Sequence, residues 1–240
     1  MLQERLLDIL DRKNHWAWPW FAEGRVPLSR LLPHFQQEWE VYVRDFPIIL
    51  ARILGHGPPQ EVCAMLAANI YEEQTGGISG AASHPELFLR MMEGCGYPRK
   101  AFARVELLPA ARAYREHLDA SSWGSPWVVG AAVLTIFVEG SVNERRELAA
   151  LEEPMPGDEN HAAALSNHPL VRFHGVDPRA LELVRVHRMV EGGHRRDAWQ
   201  AVLGNVAPEL EERVVGAMER SLQLWLAYRD EVARACGIAR

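Results

Sequence analysis

The sequence predicts an all-α fold of about seven or eight helices. Apolar residues recur at three- and four-residue steps along most of the chain. Proline and glycine clusters fall mainly between those stretches, where helices start and stop. No stretch alternates with the period of two that marks a half-buried strand. The chain has 240 residues, 48% of them hydrophobic, and no linker-like composition divides it, so 1–240 reads as a single helical domain.

Residues 1–13 form a short helix with Leu2, Leu6, Leu7 and Leu10 on one side. Asn14 to Phe21 is crowded with aromatic rings and reads as a packed N-terminal lid over the core rather than the wall of a pocket. After the turn at Gly24-Arg25-Val26-Pro27, Leu31, Phe35, Trp39, Tyr42, Phe46, Ile49 and Ile53 trace one long helix, kinked at Pro47. Gly55 to Pro58 stops it, and Pro59 opens the next helix at a position where its missing N–H costs nothing. On that helix Val62, Leu66, Asn69 and Glu73 share a face, whereas Glu72 points about 100° away and reads as solvated or paired. A carboxylate that continues an apolar stripe is informative, because an unpaired buried charge is costly. Thr75 to Gly80 loosens the chain, and His84-Pro85 starts another helix close to Glu73.

One or two modest helices follow over 99–119. Trp127 to Leu151 then reads as a helix whose first half is almost wholly apolar and ends at Glu139, with Glu144 and Glu147 on a solvated end. The apolar run Trp127–Val138 is too short to span a membrane, for which about 18 residues are needed. A polar loop insertion covers about 152–167, and His161 in it and His168 at its end read as loop histidines. Asp177-Pro178 starts the helix that carries His187, Glu191 and His194, and Pro208 opens the last one.

A net charge of −6 argues against nucleic acid as a partner. Three scattered cysteines form neither a zinc pattern nor a disulfide framework, which makes the cytoplasm the expected compartment. The N-terminus lacks the basic-then-apolar order of a signal peptide. The chemistry concentrates elsewhere. His187, Glu191 and His194 stand at i, i+4 and i+7 on one helical face. Together with Glu73, His84 and Glu139 they make three carboxylates and three imidazoles, a stoichiometry suited to a dinuclear non-heme iron or manganese centre. A hydrogen-bonded core histidine is the plainer reading of any one of them alone.

The stretch Asn69-Ile70-Tyr71-Glu72-Glu73 with its glycine loop and His84-Pro85-Glu86-Leu87-Phe88 resembles the second-helix signature of the heme-oxygenase-like diiron oxidases and oxygenases. These belong to the superfamily of thiaminase II and pyrroloquinoline-quinone synthase. Ala131 to Glu139 resembles the helix that supplies their middle glutamate, and His187-x3-Glu191-x2-His194 their closing triad; the likeness spans nearly the whole chain. It implies a heme-oxygenase-like bundle with two Fe(II) ions, or manganese in one site, held by Glu73, His84, Glu139, His187, Glu191 and His194. It further implies dioxygen as co-substrate, with Glu73, Glu139 and His187 central to catalysis. A small amino-acid-like or carboxylic-acid substrate in natural-product biosynthesis is the function expected, with an external electron donor, a homodimer and no membrane partner. Arg44 and Arg52 are the candidates for holding a substrate carboxylate. The closing acid is Glu191 where aspartate is commoner, and Gly192-Gly193 is unusual inside such a helix. The other readings are a metal-independent quinone-synthase-like oxidase and a non-enzymatic helical binding module.

Overall fold

In the computed structural model residues 1–150 and 163–240 are described, with only the backbone of Glu191 and Gly192. The insertion read at 152–167 therefore lies largely outside the described residues, and His161 with it. Every regular element among the described residues is helical. The segments outnumber the seven or eight that periodicity predicts, because two of the long helices are interrupted.

The first interruption lies in the stretch read as one helix over 31–54. It divides into α3 (Leu32–Glu38), a π-helical segment (Trp39–Val43) and α4 (Phe46–Leu54). Pro47 sits in the first turn of α4, so it begins a helix rather than kinking one. The second divides 127–151 into α8 (Trp127–Ala131), a second π segment (Ala132–Val138), a turn, and α9 (Glu144–Ala150). The β-branched residues Val133, Thr135, Ile136 and Val138 weaken α-helical packing there. The Thr135 hydroxyl also donates to the Ala131 carbonyl at 2.8 Å, competing with the backbone ladder.

The remaining helices are α1 (Leu2–Asp11), α2 (Trp18–Ala22), α5 (Gln60–Thr75), α6 (His84–Gly94), α7 (Pro109–Trp123), α10 (Pro169–Arg172), α11 (Glu182–Asn205) and α12 (Glu211–Ala235). Short 3₁₀ turns at Pro178–Leu181 and Pro208–Leu210 lead into α11 and α12, so these two α-helices begin a turn later than their prolines suggest. On α12 the buried stripe Val214, Met218, Leu222, Trp225 and Val232 packs against α7, α1, α3 and the second π segment. Each such side chain contributes about 1.5–3 kcal/mol when fully buried. The other long helix, α11, lies against α5, α6 and the second π segment. Those four elements carry Glu73, His84, Glu139 and the His187–His194 stretch, and their meeting point is the site. No helix among the described residues is long and apolar enough to cross a membrane.

Candidate metal centre

Local structure delivers Glu73 and His84 to one point. Helix α5 ends at Gly76, whose φ of 66° allows the left-handed turn that stops it. The Glu72 carboxylate then ties the loop back, accepting from the Ile78 amide at 2.8 Å and the Ser79 amide at 3.0 Å. Ser83 caps α6, its hydroxyl accepting from the Glu86 amide at 3.4 Å. His84 is thereby fixed as the first residue of α6.

There His84 Nδ1 lies 2.8 Å from Glu73 Oε1 and 3.1 Å from Nε2 of His187, which comes from α11. Glu73 and His84 are buried and His187 is partly so. One ligand atom from each of the three falls within 4.8 Å of the others. Two donors each about 2.1 Å from an ion and at right angles stand about 3.0 Å apart, so these spacings are those of neighbouring ligands. A single proton on Nδ1 serves only one of its two close contacts, whereas a cation serves both. The donor set therefore fits an iron, manganese or zinc ion.

The cluster faces a cavity of about 200 Å³, which Glu139 and His194 also line. Five of the six predicted ligands thus face one space. Glu139 and His194 do not join the tight three-atom cluster, and the Glu191 side chain lies outside the described residues. Glu139 is set by its neighbours: Asn69, 2% exposed, donates from Nδ2 to Oε1 at 3.2 Å. The turn after Glu139 admits only glycine, because a β-carbon on Gly140 would run into the Ile136 carbonyl. Lys13 Nζ donates to the carbonyls of Phe137 and Gly140 at 2.6 Å each and to that of Val138 at 3.3 Å. It anchors the end of the π segment from outside. Burial pushes the Lys13 ammonium down to about 7, against an opposing pull from Glu144. Both π segments reach the cavity wall, through Tyr42 and Val43 on one side and Val138 on the other.

Several sequence expectations are corrected here. Of the two readings of Glu72, solvated or paired, the paired one holds: it is fully buried. Its Oε1 lies 3.5 Å from Nε2 of His84, the ring nitrogen facing away from the cluster. A carboxylate behind a histidine ligand fixes the ring's orientation and raises its basicity. Asn69 and Glu72 stand in the Asn-x-x-Glu-Glu pattern, so the signal for both was present beside Glu73. Glu144 is only 1% exposed rather than at a solvated end. It accepts from Trp199 Nε1 at 2.9 Å and pairs with Arg195 Nε at 3.0 Å, next to His194. Arg44 pairs with Glu40 and Asp45, and Arg52 pairs with Asp119 beneath the Trp123 ring. Neither arginine lines the cavity. Among the described residues a β-carbon at Gly193 would meet nothing within 4 Å.

Glu72→Gln is expected to weaken metal binding by about 10–100-fold while the helices persist. Competition against a chromophoric chelator measures it, and unchanged affinity would remove Glu72 from the centre.

The pH dependence has a defined sign. Burial disfavours the charged form of His84, but Glu73 and then Glu72 outweigh it and hold the ring above the ordinary histidine value. His194 is lowered, by burial first, and is neutral at neutral pH. Only a deprotonated ring nitrogen binds metal. Apparent affinity should therefore rise as the pH climbs from the ordinary histidine range to above it and the His84 proton is lost. A flat profile over that window would count against His84 as a ligand.

Two comparisons bear on identity. The chain resembles a TenA homolog from Pseudomonas syringae pv. tomato at a TM-score of 0.68 and 11% identity, over 97% of this chain and 93% of that one. At that identity the likeness shows the fold. No curated protein matches the chain in sequence. The family model described as iron-containing redox enzyme matches residues 33–226, a span that holds every predicted ligand. The chain belongs to that family of iron-containing redox enzymes.

Proposed function

We propose that the protein is a non-heme diiron oxidase or oxygenase that uses dioxygen to oxidise a small amino-acid-like or carboxylic-acid substrate in natural-product biosynthesis. The observation that carries this reading is the Glu73–His84–His187 cluster, set on a cavity that Glu139 and His194 also line. Glu73, His84 and His187 would hold one ion; Glu139, His194 and Glu191 would complete a second. Iron, when bound, supplies the electrons for reducing dioxygen. The protein's share is positional. Glu72 holds the His84 ring, Asn69 holds Glu139, and Phe46, Val138, Leu183 and Val190 give the cavity an apolar wall that limits water. An external reductant and a homodimer complete the proposal.

A cysteine-based hydrolase is the less favoured reading. Burial pushes the thiols of Cys95 and Cys236 up to about 11, so neither is a thiolate near neutral pH. No cysteine lines the metal-facing cavity.

Protein reconstituted anaerobically should bind close to two Fe(II) per chain and give a transient visible band on mixing with oxygen. One iron per chain would reduce the centre to a mononuclear one. No stoichiometric iron, with oxidase activity intact, would favour the metal-independent quinone-synthase-like alternative.

A further inference from the structure

A second cavity, of about 290 Å³, adjoins the first and shares Tyr42 and Val138 with it. Its walls include Trp18, Tyr114 and Trp225, and two buried basic side chains, Lys13 and Arg229, reach it with one carboxylate, Glu38. Arg229 is 2% exposed, in the last third of α12. Its Nη1 donates to Glu38 at 3.1 Å and its Nη2 to Nδ1 of His34 at 3.1 Å, while the guanidinium lies 4.4 Å from the centre of the Trp18 ring. Burial pushes His34 down to about 4, so it is a neutral acceptor. A guanidinium has five N–H donors in a fixed fork that matches a carboxylate. Glu38 and His34 occupy part of that fork as acceptors, and they hold it rigid. Lys13 spends its ammonium on the carbonyls that end the π segment. The chamber thus sets the guanidinium of Arg229 and the amine of Lys13 against one carboxylate inside an aromatic enclosure, where uncompensated charge is costly. Sequence spacing contains the signal, since Arg229 continues the stripe Met218, Leu222, Trp225 at the next turn of α12.

We infer that this cavity is the substrate chamber, in which Arg229 receives the carboxylate of a small organic acid whose aromatic or aliphatic body extends past Tyr42 and Val138 toward the metal-facing cavity. The inference rests on the function proposed above for what happens to that body, while binding itself requires no metal. Trp18 also makes the N-terminal aromatic stretch part of a pocket wall as well as a lid.

The test uses metal-free full-length protein and two matched probe pairs, 3-phenylpropionate with 3-phenylpropan-1-ol, and octanoate with octan-1-ol. Calorimetry should show at least one acid binding ten-fold or more tightly than its alcohol. Arg229→Lys and Arg229→Gln should each erase that preference while leaving alcohol binding unaltered. In protein labelled with 5-fluorotryptophan, the acid should move the ¹⁹F signals of Trp18 and Trp225 and leave that of the exposed Trp123 in place, which locates the ligand even if both variants fail to fold. Acids and alcohols binding alike, or shifts confined to Trp123, would overturn the inference. Iron content, measured separately, keeps the two readings apart. Protein that holds iron and consumes oxygen but ignores the acid's charge loses the chamber and retains the function. Protein that prefers the acid but never holds iron does the reverse.

Discussion

Replacing His84 with alanine is expected to abolish stoichiometric iron binding while leaving a folded chain. His84 Nδ1 is in close contact with both Glu73 and His187, at 2.8 and 3.1 Å. Its loss removes a ligand and the bridge between α5 and α11 at that point. Partners behind a ligand are typically worth about 10–100-fold in affinity, so removal of the ligand itself should cost at least about 100-fold. The Glu72 carboxylate stays buried without its imidazole neighbour, but the Ile78 and Ser79 amides continue to satisfy one of its oxygens. The structural cost should therefore be modest, about 1–3 kcal/mol. Iron per chain after anaerobic reconstitution, read beside far-ultraviolet circular dichroism, decides the matter. A folded variant with wild-type iron content would show that the cluster is a hydrogen-bonded core and not a metal centre.

Glu144→Ala is expected to be the most destabilising single change near the site, at about 3–5 kcal/mol. The carboxylate is 1% exposed and serves Arg195, the Trp199 indole and the Ser141 amide together. Truncation leaves a largely buried guanidinium and an indole N–H without their acceptor. For a chain of this length that corresponds to a fall of roughly 10 °C in melting temperature. Arg195 follows His194, and Ser141 stands two residues after Glu139. The same change should therefore loosen both sides of the cavity and lower iron retention. A melting temperature within about 1 °C of the parent would mean that Arg195 has found Glu147, 3.1 Å from its Nη2, as a sufficient replacement.

Much of the fold was legible in the sequence because helical burial leaves a periodic record. The stripes on α5, α11 and α12 give their inward faces directly. The candidate site residues were legible for the same reason in reverse: Glu73, Glu139 and His187 are polar residues at positions where the period demands apolar ones. Two kinds of feature escaped. Glu72 and Glu144 lie off those stripes and are buried by contacts from outside their own helices, the first by the loop that returns to His84 and the second by Arg195 and Trp199. Periodicity within a helix carries no record of what covers its other faces. Arg44 and Arg52 failed as candidate substrate contacts near the cavity for a related reason. A positive charge near a site in sequence has local carboxylates available, and Asp45, Glu40 and Asp119 take both. Arg229 escaped although it lies on the stripe of α12, because a long charged side chain near a helix end usually reads as solvated.

The two π segments have a consequence for comparing this chain with its relatives. A π segment amounts to one residue inserted into an α-helix without a change in the helix's ends. Each extra residue turns everything after it by about 100° relative to an uninterrupted helix. A gapless alignment of Trp127–Glu139 with a relative that is α-helical throughout would match the apolar residues and yet set Glu139 opposite an outward-facing neighbour. The same slip would separate Tyr42 from its counterpart. Homology across these helices is therefore sounder when judged by which residue faces the cavity than by column. Lineages that gained or lost the insertion at Ala132–Val138 would have moved Glu139 around its helix with a single codon.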